Sequence, residues 1–262
     1  MQILAAIQWG YVLSGLIVGA AVGLTGVGGG SLMTPILILI FGISPVAAVG
    51  TDLLYAAATK SVGSLVHGAH NTIDWKIVGR LAMGSVPAAI LTVTALNLLG
   101  LESHKANHLV SGVLGVTLFI TASALLFRKA LLSFYAKRIG KPTPTQTFRY
   151  TVLTGIVLGV LVASTSVGAG ALGVTALILL YPELPASKLV GSDIAHAVPL
   201  TLVAGAGHWF LGNINFALMG TLLLGSIPGI LIGSYLAPRV PETVLRRLMA
   251  VILILVAIKL VL

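Results

Sequence analysis

Two stretches 140 residues apart constrain this chain more than any other feature: GLTGVGGGS from Gly23 to Ser31, and ASTSVGAGA from Ala163 to Ala171. Each interrupts a long apolar run with glycines and hydroxyls that do not sustain a helix, Gly costing about 1 kcal/mol relative to Ala in a helix interior. The apolar run after each break, Gly30 to Phe41 and Gly170 to Tyr181, has 12 residues. At about 1.5 Å per residue that is about 18 Å of helix, against about 30 Å of bilayer hydrocarbon. A helix that short starts inside the membrane, with free backbone N–H groups and the positive end of its dipole at its N-terminus. Two such ends facing one another form a site for an anion.

The bilayer is the right solvent to argue from. With 57% hydrophobic and 8% charged residues and a mean hydropathy of +1.09, the chain lies far from soluble domains, where about a quarter of residues are charged. The net charge of +9 sits mostly in loops, where membrane topology explains it without nucleic acid. There is no cysteine, which removes disulfides and thiol chemistry. The first basic residue is Lys60, so the N-terminus lacks the basic region of a cleavable signal. No cofactor motif is present, and no residues have metal-ligand spacing.

Apolar segments run near Trp9 to Leu24, Gly30 to Phe41, Val46 to Val66, Ile77 to Leu99 and His108 to Phe127. They recur at Tyr150 to Val162, Gly170 to Tyr181, Leu189 to Leu211, Phe216 to Leu236 and Val244 to Leu260. Individual residues recur with them. Gly15, Gly19, Thr25, Gly28, Gly30, Leu37 and Pro45 match Gly155, Gly159, Thr165, Gly168, Gly170, Leu177 and Pro185 at an offset of 140. Gly50, Asp52, His67, Gly79, Gly84, Ser85 and Pro87 match Gly191, Asp193, His208, Gly220, Gly225, Ser226 and Pro228 at 141. The chain is therefore a duplication.

Arg128, Lys129, Lys137, Arg138, Lys141 and Arg149 crowd a central loop without acidic residues, which places that loop in the cytoplasm. An odd number of crossings per half then inverts the halves and puts Lys76, Arg80, Arg239, Arg246 and Arg247 inside, with both termini extracytoplasmic. The expected fold is an all-α integral membrane protein of two inverted-topology repeats, each a broken or re-entrant helix pair followed by three transmembrane helices. The repeats span residues 1–127 and 150–262, joined by a basic linker over 128–149.

The sequences GLTGVGGGSLMTP, AVGTD, VGAGALGVTALILLYP, LVGSD and GSIPG, in this order over nearly the whole chain, resemble the TauE/SafE sulfite-exporter family of bacterial membrane transporters. The resemblance implies an inner-membrane carrier for small anions, with sulfite and organosulfonates such as sulfoacetate as examples. Membrane lipid and a small anion are then its partners, with protons available for coupling.

The candidate substrate-binding residues lie in the breaks: Thr25, Gly28, Gly29, Gly30 and Ser31, with Thr165, Ser166, Gly168 and Gly170. Glycine lets backbone N–H groups approach an anion, and the hydroxyls add donors. The bland alternative is a hinge or packing break. Gly15, Gly19 and Gly23, repeated as Gly155, Gly159 and Ala163, read as helix-packing rows. Coupling or gating candidates are the intramembrane charges Asp52, Lys60 and Asp193, with His196 one turn from Asp193. A charge costs about 2.5 to 3.5 kcal/mol at mid-membrane. Asp52 and Asp193 alternatively cap helix N-termini, and His67 and His208 read as interfacial anchors. A passive anion channel, or an intramembrane enzyme with Asp52 and Asp193 as an aspartyl dyad, are the competing functions.

Overall fold

A computed structural model describes residues 9–25, 30–98, 103–128, 130, 143–236 and 242–261. Ten helices lie in it: α1 Trp9–Thr25, α2 Gly30–Leu39, α3 Pro45–Ala69, α4 Trp75–Leu98, α5 Ser103–Leu126, α6 Pro144–Thr165, α7 Ala171–Leu180, α8 Ala186–Phe210, α9 Phe216–Leu236 and α10 Glu242–Val261. The described residues contain no strand. Five helices, α4, α5, α6, α8 and α9, are long and apolar enough to cross a bilayer. Large apolar side chains cover the outside, among them Leu91, Phe119, Leu153, Leu224, Ile232 and Leu255. In water such a surface would drive aggregation; in lipid it is the ordinary exterior.

The first break, Gly26 to Gly29, lies outside the described residues, as does most of the central loop. The helices that follow the two breaks, α2 and α7, are short as the sequence predicts, at 10 residues each. The second break owes its shape to backbone freedom. Ser166 caps α6 in the left-handed conformation at φ 60°, and Gly168 (φ 127°) and Gly170 (φ 109°) adopt angles that side chains disfavour.

The glycine rows bring helices of opposite halves into backbone contact. A Cβ on Gly15, Gly19 or Gly23 of α1 would collide with the α9 backbone at Leu222, Ser226 and Ile230. The matched Gly155 and Gly159 of α6 meet the α4 backbone at Leu81 and Ser85. These are packing glycines. Since positions rise together along both members, α1 runs parallel to α9 and α6 parallel to α4. Helices α3 and α8 run antiparallel, Gly50 approaching Asn213 and His208 while Gly191 approaches Thr72 and His67.

Aromatic and hydroxyl contacts return each short helix to the level where its pair began. Tyr11 of α1 packs on Phe41 just beyond α2, ring centroids 4.4 Å apart. At the matched positions Thr151 Oγ1 lies 2.9 Å from Tyr181 Oη. Arg80 donates to the same Tyr181 hydroxyl at 3.1 Å and stands over the Phe148 ring. The Lys76–Arg80 end of α4 therefore shares one side of the molecule with the start of α6.

Candidate functional site

The motif G-[TS]-D explains how the carboxylates are placed. Gly50 lets the hairpin before α9 approach α3, and Thr51 Oγ1 accepts the Asn215 N–H at 3.1 Å. In the other half Ser192 Oγ accepts the Asp74 N–H at 2.8 Å. With the preceding two residues fixed on the neighbouring hairpin, Asp52 and Asp193 are held inside, each fully buried. Neither caps a helix: each lies seven residues past the first residue of α3 or α8. The capping groups are instead Asp74 Oδ1, which accepts from Lys76 N at 3.0 Å, and Asn215 Oδ1, which accepts from Leu218 N at 3.0 Å.

Asp52 accepts a hydrogen bond from Thr34 Oγ1 of α2 at 2.5 Å, and Ser166 of the second break reaches its surroundings. Asp193 is placed differently. It lies against α7, where a Cβ on Gly173 would collide with its Oδ1, and the Gly170 N–H approaches it. Neither Asp193 oxygen has a hydrogen-bond partner. The aspartyl dyad therefore does not form.

Lys60, 3% exposed, is charge-coupled first to Asp193 and then to Asp52. Helix rise gives the spacing. Lys60 is eight residues beyond Asp52, about 12 Å along α3. The antiparallel register with α8, Gly50 facing His208 and Gly191 facing His67, puts Asp193 about 8 Å beyond Lys60. The cation thus stands between two carboxylates that lie toward opposite ends of the bundle.

Hydroxyls and one imidazole complete a buried polar column. Thr59 Oγ1 and Ser226 Oγ are 2.8 Å apart, with Tyr55 beside them. His196 does not pair with Asp193; its Nε2 bonds Ser85 Oγ at 2.8 Å. Eight buried side-chain polar atoms among the described residues have no hydrogen-bond partner, and six belong to this column: Asp52 Oδ1, Tyr55 Oη, Ser166 Oγ, both Asp193 oxygens and His196 Nδ1. Buried polar groups are ordinarily satisfied, at a cost of about 1–3 kcal/mol each when they are not. Six of the eight thus lie along one column that runs between the two carboxylates.

The break candidates divide. Ser166 is buried with its hydroxyl unpartnered, beside Asp52, whereas Thr165 Oγ1 is committed locally, donating to Leu161 O at 2.6 Å and accepting from Val167 N at 3.1 Å. Gly168 and Gly170 form the turn into α7. Ser31 is buried in the first turn of α2, which Gly30 opens. Thr25 ends α1, its side chain outside the described residues, and Gly28 and Gly29 lie outside them too. His208 is no interfacial anchor: it is 2% exposed and its Nε2 bonds Ala163 O at 2.9 Å. His67 Nδ1 lies 2.8 Å from Thr72 Oγ1, closing the α3–α4 turn. Sequence reading missed Thr34, Tyr55, Thr59, Ser85 and Ser226; the Ser85/Ser226 match across the duplication was the available signal.

An apolar groove of about 510 Å³ between α1 and α9, lined by Trp9, Leu13, Leu16, Leu224 and Pro228, lies apart from the column. No charged residue lines it, so it has the character of a lipid-facing groove.

The family model described as "Sulfite exporter TauE/SafE" matches residues 11–260. The chain is 41% identical over 251 residues to the probable membrane transporter protein YjnA of Bacillus subtilis (strain 168), covering 95% of this chain and 98% of that protein. It is 26% identical to the probable membrane transporter protein YdhB of the same organism, over 90% of this chain and 92% of that protein. No solved structure matches.

Proposed function

Because the chain belongs to the TauE/SafE sulfite exporter family, we propose that it is a secondary transporter carrying a small oxyanion, sulfite or an organosulfonate, outward across the bacterial inner membrane. The observation that carries this reading is the column of unpartnered buried polar atoms where the second break meets Asp52, Lys60 and Asp193. Lys60 supplies the charge that a sulfite or sulfonate group needs. The N-terminus of α7, reached through Gly168 and Gly170, adds backbone donors and the positive end of a helix dipole.

Alternating access follows from two inverted repeats. The parallel pairs α1/α9 and α4/α6, with the antiparallel pair α3/α8, support opposite senses for matched helices. Rocking one half on the other would open the Asp52 end of the column or the Asp193 end. The central loop then faces the cytoplasm, as does the Arg80 end of α4, and both termini face outward. Reporter fusions after Ala136 should read cytoplasmic and fusions at Gly212 external; a cytoplasmic signal at Gly212 removes the inverted arrangement.

The site is tested by thermal stabilisation of the purified protein with a panel of anions. A ligand at a hundredfold its Kd stabilises the native state by about 2.7 kcal/mol. Sulfite and small sulfonates should raise the melting temperature and chloride should not. No shift with any oxyanion contradicts the reading.

A further inference from the structure

We propose that Lys60 is the cation that contacts the anion, and that Asp193 takes up a proton when it does, so that one proton is bound with each monovalent anion. This rests on the anion-site reading above and adds the coupling ion and its stoichiometry.

Charge counting sets the requirement. With Asp52 and Asp193 ionised and Lys60 protonated, the buried column carries −1. A monoanion beside Lys60 brings it to −2. Asp193 is fully buried and Lys60 nearly so, so the anion and the ionised carboxylate would repel one another with little solvent between them. One proton restores −1.

The geometry selects the carboxylate that takes the proton. Asp52 already accepts from Thr34, so one of its oxygens is engaged. Asp193 has two unpartnered oxygens, either of which can take a proton without giving up a hydrogen bond. Among the described residues the other titratable groups near the column are Tyr55 on α3 and His196 and His208 on α8, whose Nε2 atoms are engaged by Ser85 and by Ala163 O. The contributions of α2, α4, α6, α7 and α9 are not titratable: Thr34, Ser85, Ser166, Gly170, Gly173 and Ser226. The proton comes from whichever solution the column opens to and binds an Asp193 carboxylate oxygen.

The device occurs once per chain. At the position matching Lys60 the second half has Thr201, whose hydroxyl donates to Ala197 O at 2.7 Å. One anion and one proton therefore form the transported set, and the cycle moves no net charge. Outward movement then proceeds when the cytoplasmic excess of anion outweighs the pH gradient.

Methanesulfonate is the probe of choice, because it remains a monoanion throughout the physiological pH range and any pH dependence belongs to the protein. In vesicles voltage-clamped with valinomycin and potassium, wild type should bind it about tenfold more weakly per pH unit above the Asp193 titration. A pH gradient should drive its accumulation and an imposed voltage should not. Asp193→Asn should bind with no pH slope and become voltage-driven, while Lys60→Met should lose binding at every pH. An unchanged pH slope in Asp193→Asn, or wild-type affinity in Lys60→Met, overturns the proposal. If the Asn variant fails to insert, the wild-type stoichiometry decides: pH-independent, voltage-driven transport contradicts proton coupling while leaving the anion site standing. Absence of both methanesulfonate and sulfite binding in wild type removes the site itself.

Discussion

The two halves share a scaffold and differ in chemistry, and the difference is confined to a few matched positions. Packing glycines, hairpin caps and the G-[TS]-D placement of the carboxylates recur at fixed offsets. Around the carboxylates the match fails: Met33 stands opposite Gly173, Thr34 opposite Val174, Tyr55 opposite His196 and Lys60 opposite Thr201. The first half satisfies its aspartate with a hydroxyl and carries the cation; the second seats its aspartate against bare backbone and leaves both oxygens unpartnered. The frame recurs between the halves, and the residues around the carboxylates do not.

The largest break in the comparison should come from Gly173→Leu, which drives a side chain into Asp193. Transport should be abolished and the melting temperature should fall, whereas Met33→Leu at the matched position conserves volume and should cost under about 1.5 kcal/mol. Comparable losses in the two variants would show that Asp193 has no special seat. Next in size, Thr34→Val removes a hydrogen bond to a buried carboxylate. The stability loss should be about 1.5–3 kcal/mol and should disappear in an Asp52→Ala background, which has no acceptor; a full loss there would mean that Thr34 acts by packing.

The shared frame should respond symmetrically. A Cβ on Gly84 would meet Val152 O and one on Gly225 would meet Val12 O, so Gly84→Val and Gly225→Val should each cost about 1–3 kcal/mol by overpacking. Chemical or thermal unfolding that found one tolerated and the other not would break the equivalence of the halves. The smallest effect belongs to Tyr181→Phe, which removes the hydroxyl shared by Thr151 and Arg80 and restores the residue type found at Phe41. It should cost about 0.5–1.5 kcal/mol, read from the same unfolding curves.

The helices were legible because lipid demands long apolar runs and because duplication checks each of them twice; the ten segments lie close to the ten helices. The glycine rows were legible for the same reason, Gly15 and Gly19 recurring as Gly155 and Gly159 and Gly23 as the small Ala163. The site was only partly so. Asp52, Lys60 and Asp193 stand out as charges among apolar residues, but spacing on one helix made His196 a partner of Asp193 when α4 offered Ser85 instead. Thr34 is one of many threonines and shows its role only when α2 packs on α3. Capping stood as the alternative role for Asp52 and Asp193 because Gly-Thr-Asp and Gly-Ser-Asp look like helix starts, whereas α3 and α8 begin at Pro45 and Ala186.

The central claim, that a carrier site for an oxyanion lies beside Lys60 between the halves, is tested most directly by counterflow. Vesicles containing the reconstituted protein and loaded with unlabelled sulfite are diluted into a trace of radiolabelled sulfite. Wild type should show a transient internal overshoot of label, and Lys60→Met, inserted to the same level, should show none. Equal overshoot in the two proteins would contradict the account.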